Sequence, residues 1–310
     1  MSLYWKSKTL LAKIETTYGT DPTPTGADNA ILATNVSFAP MEGQDVSRNL
    51  ERPYFGASPM IPVGLYSTLT FDVEYAASGD AGTAPAWGPL IRACGAAETI
   101  VADTSVEYTP ITDDPESISI YFAIDTVRHV MVGTRDTFVL TVNAQGIPVL
   151  RFTMTGLFAV PSTQAKVTAD FSAFLSPKVA TKANTPTFTI GGTNFILRSY
   201  EFNLGNDVQP RLLIGYEGIH ITDRAESLTT TVEAVALATY NPFSVAQNQT
   251  PQAIILTHGT AAGNVITMTI DQAQQGRLSG YGQEQNILEW PLSFMPQPDE
   301  GDDQWSMLLT

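Results

Sequence analysis

The sequence predicts a mainly β fold of α+β character, built from two tandem strand-rich modules that each carry one helix and one long arm. Three observations carry that prediction. A Leu-Thr-x-x-Val-Glu signature at Leu69, Thr70, Val73 and Glu74 returns at Leu228, Thr229, Val232 and Glu233, an offset of 228 − 69 = 159 in a chain of 310 residues. Each half also closes on a strand with apolar side chains at every second position: Leu150, Phe152 and Met154, then Leu288, Trp290, Leu292 and Phe294. The offset there is 288 − 150 = 138, so the first copy carries 159 − 138 = 21 more residues between the markers. Third, strict period-two alternation recurs along the chain, as in Leu69, Phe71, Val73 and Tyr75, which marks sheets with one buried face.

In chain order, residues 1–30 read as an extended arm, because Tyr18 to Gly26 is punctuated by Gly19, Pro22, Pro24 and Gly26 and cannot hold a helix or an inner strand. The first module spans 31–160, with strand-like runs from Ile31. Within it, 40–64 is a long, turn-rich segment carrying Glu42, Asp45, Arg48, Glu51 and Arg52 among prolines. Loops of that length in a compact domain usually carry function.

Trp87, Leu90, Ile91 and Cys94 fall at helical spacing between Pro85 and Gly95, which predicts a helix over 85–94. Phe138, Leu140 and Val142 then alternate, Asn143-Ala144-Gln145-Gly146 supplies a hairpin turn, and Val149 to Phe158 is the returning strand.

Residues 161–186 form the connection, with Phe171, Phe174 and Leu175 asking for burial. The second module, 187–310, repeats the order. Its charged turn-rich segment, 205–227, holds Asp207, Arg211, Glu217, Asp223 and Arg224; a shorter helix begins near Pro242; Ile266, Met268 and Ile270 alternate; and the Trp290 strand closes the copy. Pro291 places that part of the closing strand at an edge or bulge.

Composition narrows the function. Acidic residues outnumber basic ones 31 to 16, a formal charge of −15, which opposes binding nucleic acid through its phosphates while allowing DNA to pass unheld. Cys94 is the single cysteine, so no disulfide forms within one chain, and its apolar neighbours make it a small buried hydrophobe. Lys6, Lys8 and Lys13 around Leu10-Leu11-Ala12 do not make a signal peptide, and no run reaches membrane-spanning length, so the expectation is a soluble chain made in the cytoplasm with no membrane binding of its own.

No catalytic constellation stands out, and the chain is expected not to be an enzyme. The three histidines, His129, His220 and His258, are scattered on strand-like runs, and no Walker, dinucleotide-binding or zinc-protease motif occurs. The Asp299-Glu300-Gly301-Asp302-Asp303 cluster lacks the spacing and the terminal glutamate of a calcium loop and reads as a solvated turn. No metal and no cofactor is expected.

The run Ile14 to Pro24 followed by Ala27-Asp28-Asn29-Ala30-Ile31, the Pro85 to Gly95 segment and the Gly133 to Gly156 hairpin, taken in order, resemble the major tail tube proteins of long-tailed bacteriophages. The resemblance implies tandem β-sandwich or half-barrel modules, each flanked by a helix, whose sheets join neighbours into an inner barrel. Single-module relatives form hexamers, so a two-module chain implies a trimeric ring of pseudo-sixfold symmetry, stacked into the tube of a virion tail, of non-contractile type. The charged residues of 40–64 and 205–227 are then inter-ring arms. The implied partners are other copies of the chain, a tape-measure protein in the lumen, tail terminator and distal tail proteins, and DNA in transit. A tandem β-sandwich adhesin or virion decoration protein is the alternative, and it predicts a stable monomer.

Overall fold

A computed structural model of the chain describes residues 2–310. The first half runs β1 (Lys8–Ile14), β2 (Thr34–Ser47), β3 (Met60–Glu74), α1 (Gly88–Ala93), β4 (Ala96–Val101), β5 (Ser105–Pro110), β6 (Ile118–Ile124), β7 (Val127–Asn143) and β8 (Val149–Phe158). After the short β9 (Ser162–Thr163), the second half runs β10 (Thr187–Ile190), β11 (Thr193–Asn194), β12 (Leu197–Asn203), β13 (Asn206–Leu213), β14 (Tyr216–Arg224), β15 (Ser227–Glu233), α2 (Pro242–Asn248), β16 (Gln252–His258), β17 (Ile266–Gln275), β18 (Gly282–Glu284), β19 (Ile287–Pro296) and β20 (Ser306–Leu309). The fold is mainly β, with every pairing antiparallel.

In the first half the hydrogen-bonded order is β1, β6, β7, β8, β3, β2. In the second, β12, β15 and β19 pair in turn, while β17 joins β16, β19 and β20, and β10 lies outside β16. Two pairings cross the midpoint. The C-terminal part of β7 binds β12, and β5 binds β20. Phe138 of the first half stands 6.0 Å from Phe202 and 5.9 Å from Trp305 of the second, ring centroid to centroid. The main hydrophobic core therefore runs unbroken from Leu10 to Leu309.

The Leu-Thr signature has the same role each time it occurs. In β3, Leu69, Phe71 and Val73 face Met154, Phe152 and Leu150 of β8. In β15, Leu228, Thr230 and Val232 face Phe294, Leu292 and Trp290 of β19. The sequence expectation matched Leu150 with Leu288; the strand registers match it with Trp290, one alternation further, an offset of 290 − 150 = 140. The β4–β5 hairpin lies between α1 and β6, and no strand stands at the corresponding place between α2 and β16.

Four other local expectations change. Lys8–Ile14 is a strand paired along its length with β6, not part of a free arm, because Leu10, Leu11 and Ala12 are buried on both faces. The consecutive apolar triplet was the available signal, since a strand covered on both sides needs no alternation. The first helix covers only Gly88–Ala93, with Gly88-Pro89 at its start, where the missing proline N–H costs nothing, instead of inside it. The second helix is not the shorter one: α2 has seven residues against six in α1, because the Asn241 side chain accepts hydrogen bonds from the Phe243 and Ser244 N–H groups. Regular strand also begins at Thr34, not Ile31.

Other expectations hold in the structure. Residues 143–146 turn between β7 and β8. Pro291 pairs with Thr231 on one side and has no strand on the other, because β18 covers only Ile287 to Glu289 and β17 only Phe294 to Pro296. Of the apolar residues in 161–186 expected to be buried, Phe174 packs on the core and Leu175 is half-buried, but Phe171 is exposed; the segment is tied to both halves, with Asp170 N–H donating to the Gly26 oxygen, Ala180 N–H to the Gly146 oxygen and Gly259 N–H to the Asn184 oxygen.

Candidate assembly surface

Both charged segments are β-hairpins. The first is the outer part of β2 and β3, paired from Glu42–Tyr66 to Ser47–Met60. The second is β13–β14, a two-stranded sheet of its own. The hairpins differ in how much of them the chain already uses.

The base of the second hairpin is fastened to the first half. Asn206 Nδ2 donates to the Cys94 and Asp136 carbonyl oxygens at 2.6 and 2.8 Å, and Arg224 donates to Asn206 Oδ1 at 2.9 Å and to the Gly95 and Ile111 carbonyl oxygens at 2.8 and 3.1 Å. Burial lowers the pKa of the Arg224 guanidinium, which Glu226 partly offsets. Further along, the Tyr18 hydroxyl accepts from the Ile219 N–H at 2.6 Å, and Arg135 Nη1 donates to the Ile219 oxygen at 3.0 Å. Burial raises the Tyr18 pKa, so the phenol stays a neutral donor and acceptor in this clasp.

The backbone on either side of this clasp, at Gly19 and Gly133, is held by the buried Glu15 side chain. Glu15 accepts from Ser117 Oγ and Ser119 Oγ at 2.6 Å, and from the Gly133 and Gly19 N–H groups at 2.7 Å. Four donors replace the water it has lost. No sequence pattern announced Glu15 or Tyr18 in this role, because all their partners here but Gly19 lie about a hundred residues or more away, as with Ser117 at a separation of 102.

Of the ten arm residues singled out by sequence, Arg224 is spent inside the chain. The rest lie outward. Asp45, Arg48, Glu51 and Arg52 are exposed on the first hairpin, with the Arg52 guanidinium over the Tyr54 ring, and Glu42 accepts from Thr68 Oγ1 at 3.1 Å. On the second, Arg211 and Glu217 are exposed near the tip, Asp207 accepts from Thr222 Oγ1 at 2.8 Å, and Asp223 is exposed near the base. The first hairpin also exposes Met41, Val46, Leu50, Phe55, Met60 and Ile61, and the second exposes Leu213 and Ile214. Exposed apolar groups in such number on a projecting element mark a contact surface.

Several strands keep an unpaired edge among the described residues, β4 included, which pairs only with β5. β2 pairs only with β3, and β18 only with β19. Open edges template pairing with another chain.

Among the described residues no group of three or more His, Cys, Asp or Glu could hold a metal. Cys94 is fully buried with its thiol donating to the Leu90 oxygen, His258 is buried against Thr185 Oγ1, and His220 stacks on Tyr216. The acidic turn is tied down locally, with Asp303 accepting from the Asp299 and Glu300 N–H groups and Asp302 from Thr112. No helix is long and apolar enough to cross a membrane.

An antiparallel β-protein with projecting hairpins and unpaired edges is built for contact with other chains. A family model described as phage tail tube protein matches residues 5–304, and the chain belongs to that family. It is a structural protein of the phage virion tail, of a kind that assembles with itself into a tube alongside other tail proteins. A comparison with curated proteins returned no match.

Proposed function

We propose that the chain is the major tail tube subunit, a duplicated two-module protein. Three copies close a ring of pseudo-sixfold symmetry, and rings stack into the conduit for DNA ejection. The observation that carries this reading is the repeated pairing of the Leu-Thr signature strand with its aromatic partner, β3 with β8 and β15 with β19, in a chain that matches the tail tube family over residues 5–304. The module boundaries are taken at 31–160 and 187–310, joined by 161–186, with the segment before residue 31 anchored through β1.

The tips of the two hairpins reach the adjacent ring, where Asp45, Arg48, Glu51, Arg52, Arg211 and Glu217 make mixed-charge contacts around the exposed apolar groups. A net charge of −15 supports a lumen that repels phosphate and so releases DNA, with the tape-measure protein enclosed during assembly and the terminator and distal tail proteins at the ends. Light scattering and negative-stain microscopy over a concentration series test the reading. The expected species has three times the chain mass of 33.4 kDa, seen as rings with six similar lobes that go on to form tubes. A monomer that never associates, at any concentration or salt, would overturn it and favour the decoration-protein alternative.

A further inference from the structure

We propose that the open edge of β2 in one copy pairs antiparallel with the open edge at β18 of the next, with Ser37 opposite Gly282, Phe38 opposite Tyr281 and Val36 opposite Gln283. The proposal rests on the duplicated-module reading and gives it a residue register. Its template is the junction already present inside the chain, where β12 pairs with β7 and sets Glu201 opposite Thr141, Phe202 opposite Leu140 and Tyr200 opposite Val142.

Strand registers carry that junction onto the free edges. Phe202 faces Leu228 as Phe38 faces Leu69, so Phe38 occupies the place of Phe202 and Ser37 that of Glu201. On the other side, Leu69 faces Met154 and Leu228 faces Phe294. Stepping back along those strands, 154 − 149 = 294 − 289 = 5, which makes Val149 and Glu289 equivalent. Thr141 faces Val149 and Gly282 faces Glu289, so Gly282 occupies the place of Thr141. A register irregularity also stands at the start of both edge strands, between Thr34 and Ser37 in β2 and between Leu197 and Ser199 in β12.

Burial marks what is missing. Phe202 and Leu140 are wholly buried at the internal junction, whereas Phe38 is half-buried and Tyr281 is 63% exposed. Pairing β2 with β18 covers both rings as their counterparts are covered. Since neither edge has a partner among the described residues of its own chain, the occupant is a second copy. The fastening of β13–β14 onto the first half has the same counterpart: the β2–β3 hairpin lies over the neighbour's second half and buries Val46 and Ile61, which are opposed and share one face of the hairpin.

Disulfide trapping tests the register. Directly opposed residues on antiparallel strands hold their Cβ atoms about 5 Å apart, within reach of a disulfide after small adjustment. Gly282 accepts a side chain, since a Cβ there meets only Glu289 Cβ at 3.4 Å and more distant atoms, and the native Cys94 is buried and silent. Mixing Ser37→Cys with Gly282→Cys under mild oxidation is expected to give a covalent dimer that neither variant gives alone, and the double variant a covalent ring of three. A chain carrying Glu201→Cys and Thr141→Cys is the control, forming its bridge internally. Rings visible by microscopy with no cross-link, while the control bridges, would overturn the junction and leave the ring intact. Absence of any multi-chain species by light scattering would overturn the ring reading as well.

Discussion

Asp136 is a buried acid without a hydrogen-bonding partner. It lies on β7, and neither carboxylate oxygen accepts a hydrogen bond. Burial raises its pKa well above the ordinary carboxylate value, and the neighbouring Cys94 thiol offsets only part of that. A raised carboxyl pKa means that the folded state binds a proton which the unfolded chain releases. Its contribution to stability is therefore complete below the unfolded value of about 3.9 and is lost as pH rises above it. Asp136→Asn removes that slope. The variant's melting temperature relative to the natural chain is expected to be higher at pH 8 than at pH 4; a difference that does not change with pH would show that the carboxyl is ionised in the fold. Glu15 is also buried, but its two carboxyl oxygens receive four donors where those of Asp136 receive none.

Among elements, the second hairpin depends on the bend where β12 ends and β13 begins. Gly205 sits there at φ +67°, and a Cβ would lie 2.1 Å from the Ala225 carbonyl oxygen. That oxygen belongs to backbone that cannot yield, because Ala225 N–H donates back to the Gly205 oxygen. Gly205→Ala is expected to cost about 2 kcal/mol or more in urea denaturation. It is also expected to loosen the Arg224 and Tyr18 clasp, read as faster amide exchange at Ile219; full stability in the variant would mean that the bend tolerates a side chain. The two hairpins were visible in the sequence as charged, turn-rich stretches. Their strand registers were not, since Arg211, Leu213 and Tyr216 give no clear alternation when neither face is wholly buried.

At the scale of the whole molecule, the two halves share one core. Phe138, Phe202 and Trp305 meet across the midpoint, and β7–β12 and β5–β20 bind it with backbone hydrogen bonds. One cooperative unfolding transition is expected, rather than one for each proposed module. Phe138→Ala is expected to lower its free energy by about 3–5 kcal/mol, a typical cost for emptying a packed aromatic site. Calorimetry resolving two independent transitions in the natural chain would contradict a shared core.

By itself the sequence determined the β class, the signature strands and their inward faces, the hairpin at 143–146, the site of both helices and the inert burial of Cys94, because alternation, turn chemistry and capping act over a few residues. Only the tertiary structure decided that Lys8–Ile14 is an inner strand, that Leu150 stands opposite Val73 and Trp290 opposite Val232, that Arg224 is consumed within the chain, and that β7 and β12 join the halves while β2 and β18 stay open. Those outcomes depend on which distant strand arrives to cover a face or an edge, and pairings between residues a hundred apart leave no local periodicity to read.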